Sequence, residues 1–378
     1  MKFNATIMIL FYIGCVFVLL YGLIIARAEL DLLQIRSTSA VTISDLEKAS
    51  VIVPVRNEER YIGRCLEGLL AQDCGADEYE IVVIDDGSED RTAEIVQQYS
   101  HRGVRYARLE EEKHGKKAAL SKGIALATHS IIITTDADCT HPTTWLSTLL
   151  HYRNTTQAEL IAAPVRIRTE RNCLERFQSL DFLSLQAITA AAVSAKRFNL
   201  CNGANLLYTR SAFRYVNGFQ GIDHVASGDD VLLMEKIARA YPGKVGYCYQ
   251  QAVIVDTEPV SSWKEFFQQR IRWAGKSTVF QSGWIKSVLL VVYVLNLILF
   301  SMMIASIAQP RLIFFTVLLL AAKAAVEYSF MSRAAHFFGK KELMKWFLPV
   351  QPVYVLYIVG SATMGFFKSY EWKGRKVR

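Results

Sequence analysis

Three long apolar runs break up an otherwise mixed chain. Between Lys2 and Arg27 lie 24 residues without a charge, between Lys286 and Arg311 another 24, and between Lys345 and Lys368 a further 22. A hydrocarbon core about 30 Å thick is crossed by roughly 20 apolar residues in a helix, so each run is long enough to span. A fourth stretch, 312–330, is interrupted by Lys323 and Glu327. At i and i+4 these two share a helix face, where pairing lowers the cost of burial. This span is expected to face protein rather than lipid.

Between the first and second runs the pattern changes period. Short apolar runs at Val51–Val55, Ile81–Ile84, Val104–Leu109, 130–135 and 159–165 read as strands. Helical periodicity separates them at 58–71, 90–99, 116–127 and 142–151. This alternation predicts an α/β domain with a mostly parallel, doubly wound sheet. Two later stretches, 174–198 and 262–282, carry apolar residues at helical spacing and predict amphipathic helices. Each fits either a membrane surface or the flank of the domain. The second leads straight into an apolar run, which favours the interface.

The expected organisation follows. Residues 1–28 form a membrane helix, 45–260 the α/β domain, and 261–284 an interfacial helix. Residues 285–367 hold further membrane segments (about 285–308, 311–330 and 347–367), and 368–378 form a basic tail. A cleaved signal peptide is the alternative for the first segment. Its apolar region is too long, Lys2 is its only early positive charge, and more spans follow.

Net charge is +8, which raises nucleic acid as a partner. The basic residues instead bunch at the edges of the apolar runs. Arg333, Lys340, Lys341 and Lys345 precede the last run; Lys368, Lys373, Arg375, Lys376 and Arg378 follow it. Membrane lipid is the better counter-charge, and no nucleic-acid partner is expected. The seven cysteines are scattered without a Cys-x-x-Cys. Nothing in that pattern suggests a disulfide framework or a zinc site, and it fits a reducing compartment. With the α/β domain cytoplasmic and every late segment crossing, the basic tail would end outside, against the positive-inside rule. The last segment, with Pro349, Pro352 and Gly360, is the weakest as a straight span.

In parallel α/β sheets ligands sit beyond the carboxyl ends of the strands. Two predicted strands end there in acids, Asp85-Asp86 and Asp136-Ala137-Asp138. Carboxylates at x and x+2 repel unless a cation lies between them, and hard oxygen ligands suit Mg2+ or Mn2+. Asp-Gly-Ser at 86–88 also suits a plain turn. Gly115-Lys116 opens a predicted helix, where an anion or merely a solvated start would fit. Asp229-Asp230 precedes an apolar run, as a helix cap or as a general base. Gln269, Arg272 and Trp273 share the interfacial helix, where arginine suits a diphosphate and tryptophan a sugar face.

Taken in order, these residues resemble the membrane-bound family 2 glycosyltransferases, the group with cellulose, hyaluronan and poly-N-acetylglucosamine synthases and ceramide glucosyltransferase. The matching residues are Val53-Pro54-Val55-Arg56-Asn57-Glu58-Glu59, Asp85-Asp86-Gly87-Ser88, Gly115-Lys116, Asp136-Ala137-Asp138, Asp229-Asp230 and Gln269-x-x-Arg272-Trp273. The resemblance implies a GT-A fold, a nucleotide-sugar donor (most often a UDP-sugar) and an inverting single displacement. By position, the Pro54–Glu58 loop with Arg56, together with Asp85, Asp86, Lys116 and Asp136, would hold the nucleotide. Asp138 would ligate Mg2+ or Mn2+, and Asp230 would be the general base. Gln269, Arg272, Trp273 and Asp229 would hold the diphosphate and acceptor end. Asp229 departs from the family, where many members carry Glu. Asn202-Gly203-Ala204-Asn205 falls where relatives have an acceptor-lining loop.

The expected protein is therefore a multi-pass cell-membrane enzyme with its catalytic domain cytoplasmic. It would act on a lipid, lipid-linked or glycan acceptor. A processive polysaccharide synthase working with a partner protein or as an oligomer is the second reading. A non-catalytic scaffold or sugar-nucleotide sensor is the third, and it would require a missing base or metal ligand.

Overall fold

A computed structural model of the chain describes residues 2–35, 47–75, 77–110, 112, 114–197, 200–222, 228–275, 283–367, 370–372 and 375–377. In order, the elements are α1 (Lys2–Leu33), β1 (Ala49–Val55), α2 (Ile62–Leu70), β2 (Tyr79–Asp85), α3 (Thr92–Gln97), β3 (Val104–Arg108), α4 (Lys116–Leu126), β4 (Ile131–Thr134), α5 (Trp145–Thr156), β5 (Leu160–Ala162), β6 (Val165–Ile167) and α6 (Cys173–Ser194). They continue with β7 (Leu206–Thr209), α7 (Arg210–Tyr215), α8 (Val231–Ala240), β8 (Val245–Tyr247), β9 (Val255–Thr257), α9 (Trp263–Gly275), α10 (Gly283–Ala308), α11 (Ile313–Phe337), α12 (Met344–Phe347) and α13 (Gln351–Phe367). Two compact units result. One comprises Ile35–Thr169 and Thr189–Pro259; the other comprises Met1–Gln34, Glu170–Ile188 and Val260–Arg378.

The first unit is built on a sheet of order β3-β2-β1-β4-β7-β5-β8. Its strands are parallel except β7, which runs against both neighbours. Val51–Val53, Ile81–Ile84 and Ile131–Ile133 are all buried, as strands covered on both faces must be. The order reverses between β1 and β4, because β2 and β3 lie to one side of β1 and the later strands to the other. Pro54 sits beyond the β1–β4 ladder, which ends at Ile52↔Thr134. A proline there costs no ladder bond, and the two strands part at the switch point.

The expected fifth strand at 159–165 divides in two. β5 stays in the large sheet, whereas β6 pairs in parallel with β9. Pro164 lies at the break and has no N–H with which to continue a ladder. Its carbonyl accepts from Val255 N at 3.1 Å and from Asn205 Nδ2 at 2.8 Å.

The second unit is helical. Val18, Leu295, Leu299, Met302, Leu319 and Val355 form a core shared by α1, α10, α11 and α13. Three helices, Met8–Leu33, Gly283–Ala308 and Pro310–Phe337, are long and apolar enough to cross a membrane. A fourth candidate, Lys341–Phe347 with Gln351–Gly365, is bent by 81°. The break holds Pro349, in the segment expected to be weakest as a straight span. Lys323 and Glu327 pair at 2.7 Å, and Gln351 donates to Glu327 at 2.9 Å. The anticipated i, i+4 pair thus forms inside protein.

α6 buries Leu174, Phe177, Leu180 and Leu183, so it packs on protein. α9 is amphipathic, with Phe266 and Arg270 buried and Trp263 exposed. The rest of that predicted stretch, 276–282, lies outside the described residues.

Candidate active site

The carboxyl ends of β1, β2 and β4 form one rim, because the register aligns Val55 with Asp85 and stops β4 two residues short of Asp136. Asp85 is buried with both oxygens used. Oδ1 accepts from Ser88 N at 2.7 Å, and Oδ2 accepts from the Tyr106 hydroxyl at 2.8 Å. Burial and Asp85 together push the Tyr106 phenol up, so it stays a donor. Asp86 accepts from Gly115 N at 3.0 Å through Oδ1, while Arg56 Nη1 donates to its carbonyl at 2.9 Å. Gly115 has φ 95°, a left-handed conformation that glycine adopts without strain, and this aims its N–H at Asp86. The Pro54–Glu58 loop is tied to the same rim. Asn57 N donates to Ser88 Oγ at 3.0 Å and Glu58 N to Thr92 Oγ1 at 2.8 Å.

Lys116, the first residue of α4, joins the acid groups. Its Nζ lies 2.5 Å from Asp136 Oδ1 and 3.5 Å from Asp229 Oδ2. Burial works against the ammonium, but Asp136, Asp229 and Asp230 outweigh it and hold its pKa above the ordinary lysine value. Asp230 caps α8 by accepting from Val231 N at 2.7 Å, and its second oxygen accepts from Gly203 N at 3.3 Å. Gly203 is needed for this approach. A Cβ there would stand 3.2 Å from Asp229 Oδ2 and 3.3 Å from Lys116 Nζ. Thr134, at the end of β4, fixes the Gly203 carbonyl at 2.9 Å.

Asp138 is half-buried and accepts from Thr257 Oγ1 at 3.0 Å. Burial, then the charges of Asp136 and Glu58, push its carboxyl up to about 6. That crowding is what a cation would relieve. Among the described residues no three His, Cys, Asp or Glu side chains are grouped to hold a metal by themselves. A hard divalent ion needs only one or two carboxylates when substrate phosphates supply the other oxygens. The Asp136–Asp138 pair fits that pattern.

The first unit therefore brings together Pro54, Arg56, Glu58, Asp85, Asp86, Lys116, Asp136, Asp138, Asp229 and Asp230. Gln269, Arg272 and Trp273 lie on α9 in the helical unit. Tyr106 and Thr257 carry no expectation from the sequence, whereas Gly203 belongs to the 202–205 stretch expected to line the acceptor. Tyr106 had a usable signal, since it stands mid-strand on β3 opposite Val83, beside the strand that ends in Asp85. Thr257 had none, because the β6–β9 pairing that delivers it is visible only in three dimensions.

Residues 50–215 match the profile described as Glycosyl transferase family 2. The chain thus carries a family 2 glycosyltransferase domain of GT-A fold, and the resemblance read from its motifs is borne out. Among the relatives, the chain is 29% identical over 194 residues to Glycosyltransferase AglE of Haloferax volcanii, a match covering 50% of this chain and 60% of that protein. It is 29% identical over 241 residues to Probable glycosyltransferase YdaM of Bacillus subtilis, covering 61% and 55%. It is 25% identical over 237 residues to the poly-beta-1,6-N-acetyl-D-glucosamine synthase of Staphylococcus aureus, covering 62% and 55%. The chain spans less than two thirds of the length of these curated relatives. Its fold also matches the mannosyltransferase PcManGT of Pyrobaculum calidifontis, solved with GDP-Man and Mn2+. That match has a TM-score of 0.62 at 21% identity, over 96% of this chain and 98% of that one.

Proposed function

We propose that the chain is a membrane-embedded, inverting glycosyltransferase. It would transfer a sugar from a nucleotide donor, UDP-linked by family resemblance, to a lipid or lipid-linked acceptor. The observation that carries this reading is the acid cluster around Lys116 at the β1/β4 switch point, reached from two strand ends and the start of α8. The nucleotide would lie against the Pro54–Glu58 loop, Asp85 and Asp86. Asp136 and Lys116 would hold its phosphate side, with Asp138 as the metal ligand.

The acceptor hydroxyl attacks the anomeric carbon as the bond to the diphosphate breaks. Asp230 takes the hydroxyl proton from the face opposite the leaving group. When bound, Mg2+ or Mn2+ supplies positive charge to the departing diphosphate. Gln269, Arg272 and Trp273 would hold the diphosphate and acceptor end. The membrane helices suit an acceptor delivered from lipid, with the sheet domain on the cytoplasmic side. The undecaprenyl-phosphate 4-deoxy-4-formamido-L-arabinose transferase of Photorhabdus laumondii, 34% identical over 106 residues, is named for such an acceptor. The poly-N-acetylglucosamine synthase relative supports a second reading, a processive synthase working with a partner.

A donor screen tests the proposal. The purified full chain is given single nucleotide sugars with Mg2+ or Mn2+ and membrane lipid extract. Nucleotide release is followed and the product is weighed by mass spectrometry. Release with one donor and a single-sugar lipid product is expected. A ladder of products favours the synthase, and no release from any nucleotide sugar overturns both readings.

A further inference from the structure

Inside the helical unit two opposite charges are buried against each other. Asp181 on α6 and Arg270 on α9 have side chains only 3% and 4% exposed. Arg270 Nε donates to Asp181 Oδ2 at 2.7 Å, and its Nη2 pairs with the same oxygen. The Tyr354 hydroxyl donates to Asp181 Oδ1 at 2.8 Å, so both carboxylate oxygens are engaged. Replacing such a pair with packed apolar side chains is often neutral or stabilising, so net stability does not explain its presence.

The other side of Arg270 does. Its Nη1 donates to Gln269 Oε1 at 2.8 Å, and its guanidinium carbon lies 4.1 Å from the Trp273 ring centroid. A guanidinium has donors only, so the Gln269 amide must turn its oxygen to Arg270 and its Nε2–H donors away. The planar fork fixes an amide and a ring at once, which a lysine ammonium cannot do.

We propose that Arg270, held by Asp181, is a positioning residue of the transfer reaction: it sets the Gln269 amide and the Trp273 ring for an oxygen-rich ligand such as a diphosphate or a sugar hydroxyl. The inference rests on the reading that Gln269 and Trp273 contact substrate. Neither Asp181 nor Arg270 touches substrate itself.

A double-mutant cycle on the full-length chain tests it. Arg270→Lys keeps the charge and loses the fork. Transfer should fall about tenfold to a hundredfold, the scale of a small misplacement of reacting groups. The thermal midpoint should stay within a few degrees. In a Gln269→Ala or Trp273→Ala background, Arg270→Lys should add less than about twofold, because coupled residues are not additive. Asp181→Asn should reproduce the loss, and Asp181→Glu should recover part of it. If Arg270→Lys is silent, or its effect multiplies with both alanine variants, the positioning role falls while the reading of the motif stands. If Gln269→Ala and Trp273→Ala both transfer at the wild-type rate, the motif reading falls and this inference with it.

Discussion

Asp230→Asn separates the chemistry from the fold with one atom. The Asp230 carboxylate caps Val231 N through Oδ1 at 2.7 Å and accepts from Gly203 N through Oδ2 at 3.3 Å. An asparagine oxygen can keep the short cap. Its amide nitrogen then meets the Gly203 N–H, donor against donor. The lost contact costs about 1–2 kcal/mol, and the cap itself is nearly preserved. Loss of a general base costs far more, about 10²–10⁴ in rate, equivalent to roughly 3–5 kcal/mol of barrier. The variant should therefore bind donor nucleotide nearly as the wild type does and unfold only a few degrees lower. Its transfer rate should be at least about a hundredfold lower. Nucleotide titration, thermal unfolding in detergent and product mass from timed reactions give the three numbers. Transfer within tenfold of wild type would refute the base assignment, because the structural cost alone is too small to hide it.

Other perturbations read neighbouring parts of the site. Asp138→Ala should abolish stimulation by Mg2+ or Mn2+ along with activity, and a variant still stimulated by metal would remove Asp138 from the ligand set. Lys116→Met strips the ammonium from Asp136 and Asp229. Nucleotide affinity should drop by about tenfold to a hundredfold, the worth of one hydrogen bond to a charged group, and unchanged titration curves would place the diphosphate elsewhere. Glu80 tests the frame beneath the rim. Burial opposes its charge, yet bonds from Ser50, Thr128 and Arg105 hold its carboxyl down at about 2. Because the folded value lies below the unfolded one, its stabilisation is complete above about pH 4.5 and is lost as pH falls towards 2. Discounted for solvent screening, that contribution is about 1–2 kcal/mol. Glu80→Gln should therefore lower the unfolding midpoint at pH 7 and converge on wild type in acid, and a gap independent of pH would contradict it.

The sheet and its acidic rim were legible because strand periodicity carries position with it. Once Ile81–Ile84 and 130–135 read as buried parallel strands, Asp85, Asp86, Asp136 and Asp138 had to emerge at one edge. What could not be read was which charges compensate which. Lys116 looked like an anion site at a helix start, yet its nearest partners are Asp136 and Asp229, brought in from β4 and from the residues before α8. Thr257 reaches Asp138 only because Pro164 ends β5 and frees β6 to pair with β9. Arg270 stands between two motif residues in the sequence, but its partner Asp181 lies 89 residues earlier, on α6. Each missed feature is a contact between side chains from distant elements, which no local period encodes.

Charge balance gives the proposed mechanism its strongest internal constraint. Burial, then the charges of Asp136 and Glu58, push the Asp138 carboxyl up, while Asp136, Asp229 and Asp230 hold the Lys116 ammonium charged. Arg56 is turned to Asp86, with Nη1 3.9 Å from its Oδ2. A nucleoside diphosphate would bring further negative charge into this crowd. At an effective dielectric near 20, two like charges 4 Å apart repel by about 4 kcal/mol. One ammonium does not offset several such terms, whereas a divalent ion held by Asp138 would add the missing positive charge. On this reading donor and metal bind with strong mutual cooperativity. The cleft should therefore hold either one weakly when alone, and donor titrations with and without Mn2+ that superimpose would break the argument at its electrostatic root.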